Sequence, residues 1–186
     1  MKAYRITDWL IANGCVEDEE RDIINFGIGQ GLLIILNIVT TITLGIVLGV
    51  VFESIIFLMS FMILRSYAGG YHADTKIKCY LSSVIIIIIS FTLLKNLLWT
   101  KSFCFLVSML TTIIIFILAP VSNLTNPLDK KEVMVYKQRT RKIVVVENIA
   151  MLISIILDLP NIHSVITVTF ILVAFLLIAG KFKYNQ

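Results

Sequence analysis

GLLIILNIVTTITLGIVLGVVFESIIFLMSFMIL, residues 31–64, carries a single charge, Glu53. As one helix this run would be about 51 Å long, well beyond the roughly 30 Å hydrocarbon core of a bilayer, so it has to fold back on itself. Gly45, Gly49 and Glu53 are the available breakers, which predicts one span near residues 26–48 and a shorter one near 51–64. Downstream lie three further apolar runs, at 80–94, 102–120 and 162–179, and a weaker one at 143–157 that contains Glu147 and Asn148. The expected fold is therefore all-α, a polytopic helical membrane bundle of about six spans. Four to six is the range, because several runs sit near the short limit of about 17 residues.

Composition points the same way. Of 186 residues, 58% are hydrophobic and 15% charged, against about 25% charged in an ordinary soluble domain. A mean hydropathy of +0.94 leaves too little polar surface to cover a water-soluble globule, and it is the reverse of a disordered composition. The net charge is +4, but the Lys and Arg residues are spread through the loops instead of forming one stripe, so no nucleic-acid partner is expected. The first 25 residues include Asp8, Glu17, Asp18, Glu19, Glu20, Arg21 and Asp22 with no long apolar core before them, unlike a secretory signal. Cys15, Cys79 and Cys104 are far apart, and no CxxC or HxxxH spacing occurs, so neither a metal site, a cofactor nor a disulfide framework is expected.

The whole of 1–186 reads as a single transmembrane domain. With six spans, one side holds residues 1–25, 65–79, 121–142 and 180–186, which together contain every Lys and Arg except Lys95 and Lys101. The positive-inside rule then predicts that both termini, the loop 65–79 and the basic loop 121–142 face the cytoplasm. Residues 1–25 place Ile6, Trp9, Leu10 and Ala12 at roughly helical spacing before the acidic run. That pattern fits an N-terminal amphipathic helix lying on the inner leaflet, or equally one packed on the bundle.

The polar stretch most tightly bordered by apolar runs is Arg65-Ser-Tyr-Ala-Gly-Gly-Tyr-His-Ala-Asp-Thr-Lys-Ile-Lys-Cys79. Polar groups pressed against a membrane core are functional candidates. Cys79 falls where the next span begins, so the helix dipole, Lys76 and Lys78 would all stabilise an anionic sulfur. It is the best nucleophile candidate. On one straight helix His72 and Cys79 would be about 10.5 Å apart along the axis, too far for proton transfer, so the segment is expected to bend through Gly69 and Gly70. A thiol with an adjacent base is the minimum for covalent acyl transfer, and Asp74 is the nearest group that could orient the imidazole. The competing reading makes Cys79 a small buried hydrophobe, His72 an interfacial filler and Asp74 a solvated acid. Cys104, Cys15 and His163 read as two structural cysteines and a loop residue.

Arg65, four residues, Gly70, one residue, His72, six residues and Cys79 resemble the signature of the accessory gene regulator B (AgrB) family, the membrane cysteine endopeptidases of Gram-positive quorum sensing. The likeness extends to chain length, the N-terminal segment, and Ala119-Pro120 followed by a basic loop with Asn126-Pro127-Leu128. It implies that His72 and Cys79 are the catalytic pair, with Arg65 and Gly70 in support. It adds nothing for Asp74. It also implies an AgrD-like precursor peptide as substrate, an acyl thioester on Cys79, a thiolactone autoinducing peptide as product, and a homodimer in contact with membrane lipids. Arg65 could position a substrate carboxylate or a lipid head group, support the local structure, or only anchor the interface. Lys130, Lys131, Arg139 and Arg141 in the basic loop would attract an acidic precursor tail, although topology signalling and anionic lipid also account for them. The reading that competes with the enzyme is a small membrane transporter or assembly scaffold, resting on Glu53, Glu147 and Asn148.

Overall fold

The computed structural model describes residues 2–71, 73, 75–122 and 128–184. Among them are seven α-helices and no strand: α1 (Lys2–Ala12), α2 (Arg21–Leu48), α3 (Val51–Ala68), α4 (Lys76–Asn96), α5 (Lys101–Leu118), α6 (Lys130–Ile156) and α7 (Pro160–Tyr184). The chain divides into two compact units, Met1–Thr40 and Thr41–Gln186. In the first, a 3-10 turn at Asp18–Glu20 leads into α2, and Arg21 pairs with Asp8 at 2.5 Å and Asp18 at 2.9 Å. Ile6 and Trp9 of α1 are exposed, as are Ile23 and Phe26 of α2.

In the second unit the long apolar run breaks where expected, α2 stopping at Leu48 and α3 starting at Val51. Gly49 lies in the break. Gly45 stays helical and faces Ser54, whose Oγ would be 2.5 Å from a Cβ placed there, and Glu53 sits in the first turn of α3. Asp18–Leu48, Val51–Ala68, Lys76–Asn96, Lys101–Leu118 and Pro160–Tyr184 are long and apolar enough to cross a membrane.

Among the described residues α6 lacks so apolar a stretch, but it packs along α3, α5 and α7. Near its start Arg139 meets Tyr67 of α3, while just past its end Asp158 pairs with Lys101 at the start of α5 over 2.9 Å. Residues 121–142 were expected to be a basic loop, and from Lys130 onward they are helix instead. The cause is local: Asp129 accepts from the Glu132 N–H at 2.7 Å and Glu132 from the Asp129 N–H at 2.9 Å, a capping box that starts the helix. At 27 residues α6 is about 40 Å long, with Lys130, Lys131 and Glu132 in its first turn.

At the centre stands α7, buried at most positions from His163 to Gly180 and packed against α3, α4, α5 and α6. On one side it meets Leu64, Ile115, Val144 and Met151 through Phe170 and Leu177; on the other, Phe57, Ile87 and Phe91 through Val165 and Val168. His163, expected in a loop, is in the first turns of this helix and 1% exposed. Interhelical hydrogen bonds join Ser108 to Thr167 (3.0 Å) and Asn148 to Thr112 (2.9 Å), a usual adhesive between helices when the surroundings are apolar. The outer faces remain apolar, with Val47, Met59, Ile85, Leu110 and Phe175 exposed, as suits a bundle solvated by lipid.

The unit's two ends differ. At one, Asn161 donates to Glu53 at 2.5 Å and Lys95 to the Leu48 carbonyl at 3.1 Å. The other gathers the α3–α4 connector, the segment after α5, the first turns of α6 and the C-terminal turn of α7. Lys76, Lys78, Lys130, Lys131, Lys181 and Lys183 belong to that second end.

Candidate functional site

The α3–α4 connector is held almost entirely by backbone. Gly69 ends α3 with φ +70°, its N–H donating to the Arg65 carbonyl at 3.2 Å; a Cβ there would collide with the Val121 carbonyl oxygen, so only glycine fits. The chain then runs beside Val121. The Gly70 N–H donates to the Val121 carbonyl at 3.1 Å, the Val121 N–H to the Ala68 carbonyl at 3.0 Å, and the Tyr71 N–H to the Leu176 carbonyl of α7 at 2.8 Å.

Arg65, one turn before the end of α3, turns its guanidinium onto this connector, Nη1 donating to the Gly69 carbonyl and Nη2 to the Tyr71 carbonyl at 2.6 Å. Of the roles open to Arg65 from sequence, this geometry matches local support.

Thr75 caps α4, its Oγ1 accepting from the Lys78 N–H at 3.2 Å. Cys79 follows in the first turn, its N–H donating to the Thr75 carbonyl at 2.9 Å and its own carbonyl accepting from Ser83 Oγ at 3.0 Å. It is a free thiol and partly exposed. The segment 72–79 is not one straight helix, since Tyr71, Ala73 and Thr75 are non-helical and α4 begins at Lys76. His72 and Asp74 lie outside the described residues.

The basic candidates divide. Lys130 and Lys131 are exposed in the first turn of α6. Arg139 donates to the Tyr67 hydroxyl at 3.2 Å and lies 5.2 Å above its ring, with Tyr136 edge-on to Tyr67 at 5.7 Å; Arg141 sits 5.5 Å over Phe116. Sequence reasoning missed Tyr67, Tyr136 and Lys183, whose Nζ is 4.8 Å above the Tyr71 ring, and also the backbone partners Val121 and Leu176. Aromatic residues beside Arg or Lys were the available signal for the first group. For the backbone partners no side-chain signal exists.

A partly exposed cysteine at the start of a helix, with Lys76 and Lys78 in the same turn, has two features that favour a reactive thiol. Exposure alone orders the thiols Cys15, Cys79, Cys104, the last being fully buried. Alkylation by iodoacetamide, followed by peptide mass spectrometry, is expected to break that order, with Cys79 fastest and slowed by His72→Ala. A Cys79 slower than Cys15 would show that no activation operates.

A family model described as accessory gene regulator B matches residues 3–178. Among curated proteins, AgrB-like protein 2 of Clostridium perfringens (strain 13 / Type A) is 29% identical over 133 residues, covering 68% of this chain and 61% of that protein. An AgrB-like protein of Clostridium perfringens (strain SM101 / Type A) is 28% identical over 134 residues, again covering 68% and 61%. AgrB-like protein 1 of the first strain is 28% identical over 151 residues, covering 78% and 76%. The match thus spans about three fifths of the length of the first two relatives. No solved structure matches the chain.

Proposed function

Because the chain belongs to the accessory gene regulator B family, we propose that it is a membrane cysteine endopeptidase that removes the C-terminal tail of an AgrD-like precursor and closes the remainder into a thiolactone signal for quorum sensing. The observation that carries this reading is the partly exposed Cys79 thiol in the first turn of α4, beside the Arg65-held connector that leads into His72. His72 takes the Cys79 proton as the sulfur bonds to the carbonyl carbon at the cleavage site, and returns it to the leaving nitrogen as the carbon–nitrogen bond breaks. With the Lys78 and Cys79 N–H groups taken up by Thr75, the N–H groups ahead of Lys78 at the start of α4 are the ones that would donate to the developing oxyanion. The tail leaves with a new amino terminus and the core stays as an acyl thioester on Cys79. A thiol of the precursor then attacks that carbonyl. One thioester replaces another, the Cys79 sulfur recovers its proton, and the ring closes without a large change in bond energy. Water would hydrolyse the intermediate instead, so exclusion of water at the inner edge of the bilayer favours the cyclic product.

The charge asymmetry between the two ends of the second unit supports an Arg65 end and C-terminus in the cytoplasm, and Lys2, Arg5 and Arg21 in the first 25 residues favour the same side for the N-terminus. Exposed Lys130 and Lys131 there, with Arg139 and Arg141, suit an acidic precursor tail; the bundle's outer faces suit lipid and a second copy. A transporter or scaffold would draw on Glu53, Glu147 and Asn148. Glu53 is engaged by Asn161 and Asn148 by Thr112 and the Val144 carbonyl, so both serve helix packing. Among the described residues Glu147 Oε2 and Asn148 Oδ1 are buried without a hydrogen-bond partner, and these two atoms are what remains for that reading.

The test is reconstitution in liposomes with a candidate precursor. Tail release together with an acyl adduct on the Cys79 peptide, removable by hydroxylamine, is the expected result. Tail release with no adduct at Cys79 under rapid acid quench, and none by any other thiol, would refute the thioester route.

A further inference from the structure

The connector crosses α7 at that helix's single glycine, Gly180. A Cβ on Gly180 would fall 2.7 Å from the Tyr71 nitrogen, 2.8 Å from the Gly70 carbonyl carbon and 3.0 Å from the Gly70 Cα. These are backbone atoms, which cannot swing aside as the tip of a side chain can. From the opposite side, a Cβ on Gly70 would fall 2.9 Å from the Leu176 carbonyl oxygen and 3.2 Å from Arg65 Nη1, and Gly70 holds φ +115°. The Leu176 carbonyl, which helix geometry aims at the N–H of Gly180, also accepts the Tyr71 N–H at 2.8 Å.

Two successive connector N–H groups are thus fixed by different elements, Gly70 by Val121 and Tyr71 by α7, while the Gly69 and Tyr71 carbonyls are both held by Arg65 of α3. A strand that merely joined two helices could leave those groups to water at the bundle end. Here the backbone is fixed from three directions up to Tyr71, and His72 is the next residue. Cys79 is positioned separately, by the capped start of α4.

We propose that Gly180 and the Leu176 carbonyl form a positioning element for the transfer reaction: the α7 backbone sets where the connector bearing His72 lies relative to Cys79. The inference rests on His72 and Cys79 being the reacting pair. Gly180 is a positioning residue, since it acts only through the connector.

The test uses the full chain in detergent with iodoacetamide as probe, so no precursor is needed. The rate of Cys79 alkylation is followed across the range in which an imidazole titrates, around pH 6.5, for the wild type, His72→Ala, Gly180→Ala, the double variant and Ile178→Ala on the exposed side of α7. Displacing a catalytic group by about 1 Å costs up to about 100-fold. Gly180→Ala is therefore expected to slow alkylation by about 10-fold or more, to flatten the pH profile as His72→Ala does, and to add nothing in the double variant. Ile178→Ala should keep the wild-type rate. A slow His72→Ala beside a wild-type Gly180→Ala would overturn the positioning role and leave the pair intact. A wild-type rate in His72→Ala would overturn the pair, and the positioning role with it. Hydrogen exchange on the wild type needs no folded variant: the Gly70 and Tyr71 amides should be protected, and exchange at unprotected rates would overturn the crossing itself.

Discussion

Cys79→Ala is expected to abolish both tail release and the acyl adduct, a loss on the order of 10⁴-fold or more, because removing a covalent nucleophile leaves only binding and oxyanion stabilisation. Stability should hardly change. Cys79 is partly exposed and its hydrogen bonds among the described residues run through its backbone, which alanine keeps, so a cost within about 1 kcal/mol is the expectation. The other two cysteines provide the contrast. Cys15 is exposed and Cys104 fully buried, so Cys15→Ala should alter neither property, whereas Cys104→Ala should lower thermal stability and spare the chemistry. Cleavage assays on the three variants, with thermal unfolding in detergent, decide the matter. Undiminished cleavage by Cys79→Ala would eliminate the mechanism.

Much of the fold is legible because lipid imposes one rule on long apolar runs, that every backbone group be satisfied within the helix. The run at 31–64 had to break, and Gly49 marks the place. Misreadings arose where charge stood for structure. The basic residues of α6 read as a loop by charge alone, yet the Asp129 and Glu132 pair is a readable start signal. His163 reads as a loop residue in the sequence, but α7 begins at Pro160, the first-turn position where proline is favoured. At the candidate site, Cys79 and Arg65 were visible because side-chain chemistry identified them. The supports from Val121, Leu176 and Gly180 were not, since hydrogen bonds between backbones 51 and 105 residues apart, Gly70 with Val121 and Tyr71 with Leu176, leave no trace beyond a glycine.

Arg65 separates a local brace from a substrate clamp. Its guanidinium reaches two carbonyls at once, Gly69 and Tyr71; a lysine ammonium is a point charge on a flexible stem and can satisfy one. Each carbonyl left without a donor costs about 1–3 kcal/mol. Arg65→Met should therefore lower stability by about 2–5 kcal/mol, and Arg65→Lys by about 1–3 kcal/mol. Both should also reduce cleavage by about 10-fold to 100-fold, chiefly in kcat, because the connector they loosen leads into His72. A guanidinium that instead bound a precursor carboxylate would behave differently: Arg65→Lys would then raise KM and leave thermal unfolding unchanged. Thermal scans and steady-state kinetics on the same preparations distinguish the two. An unaltered unfolding temperature in Arg65→Met would show that the connector stands without its arginine, and that the two carbonyls find other donors.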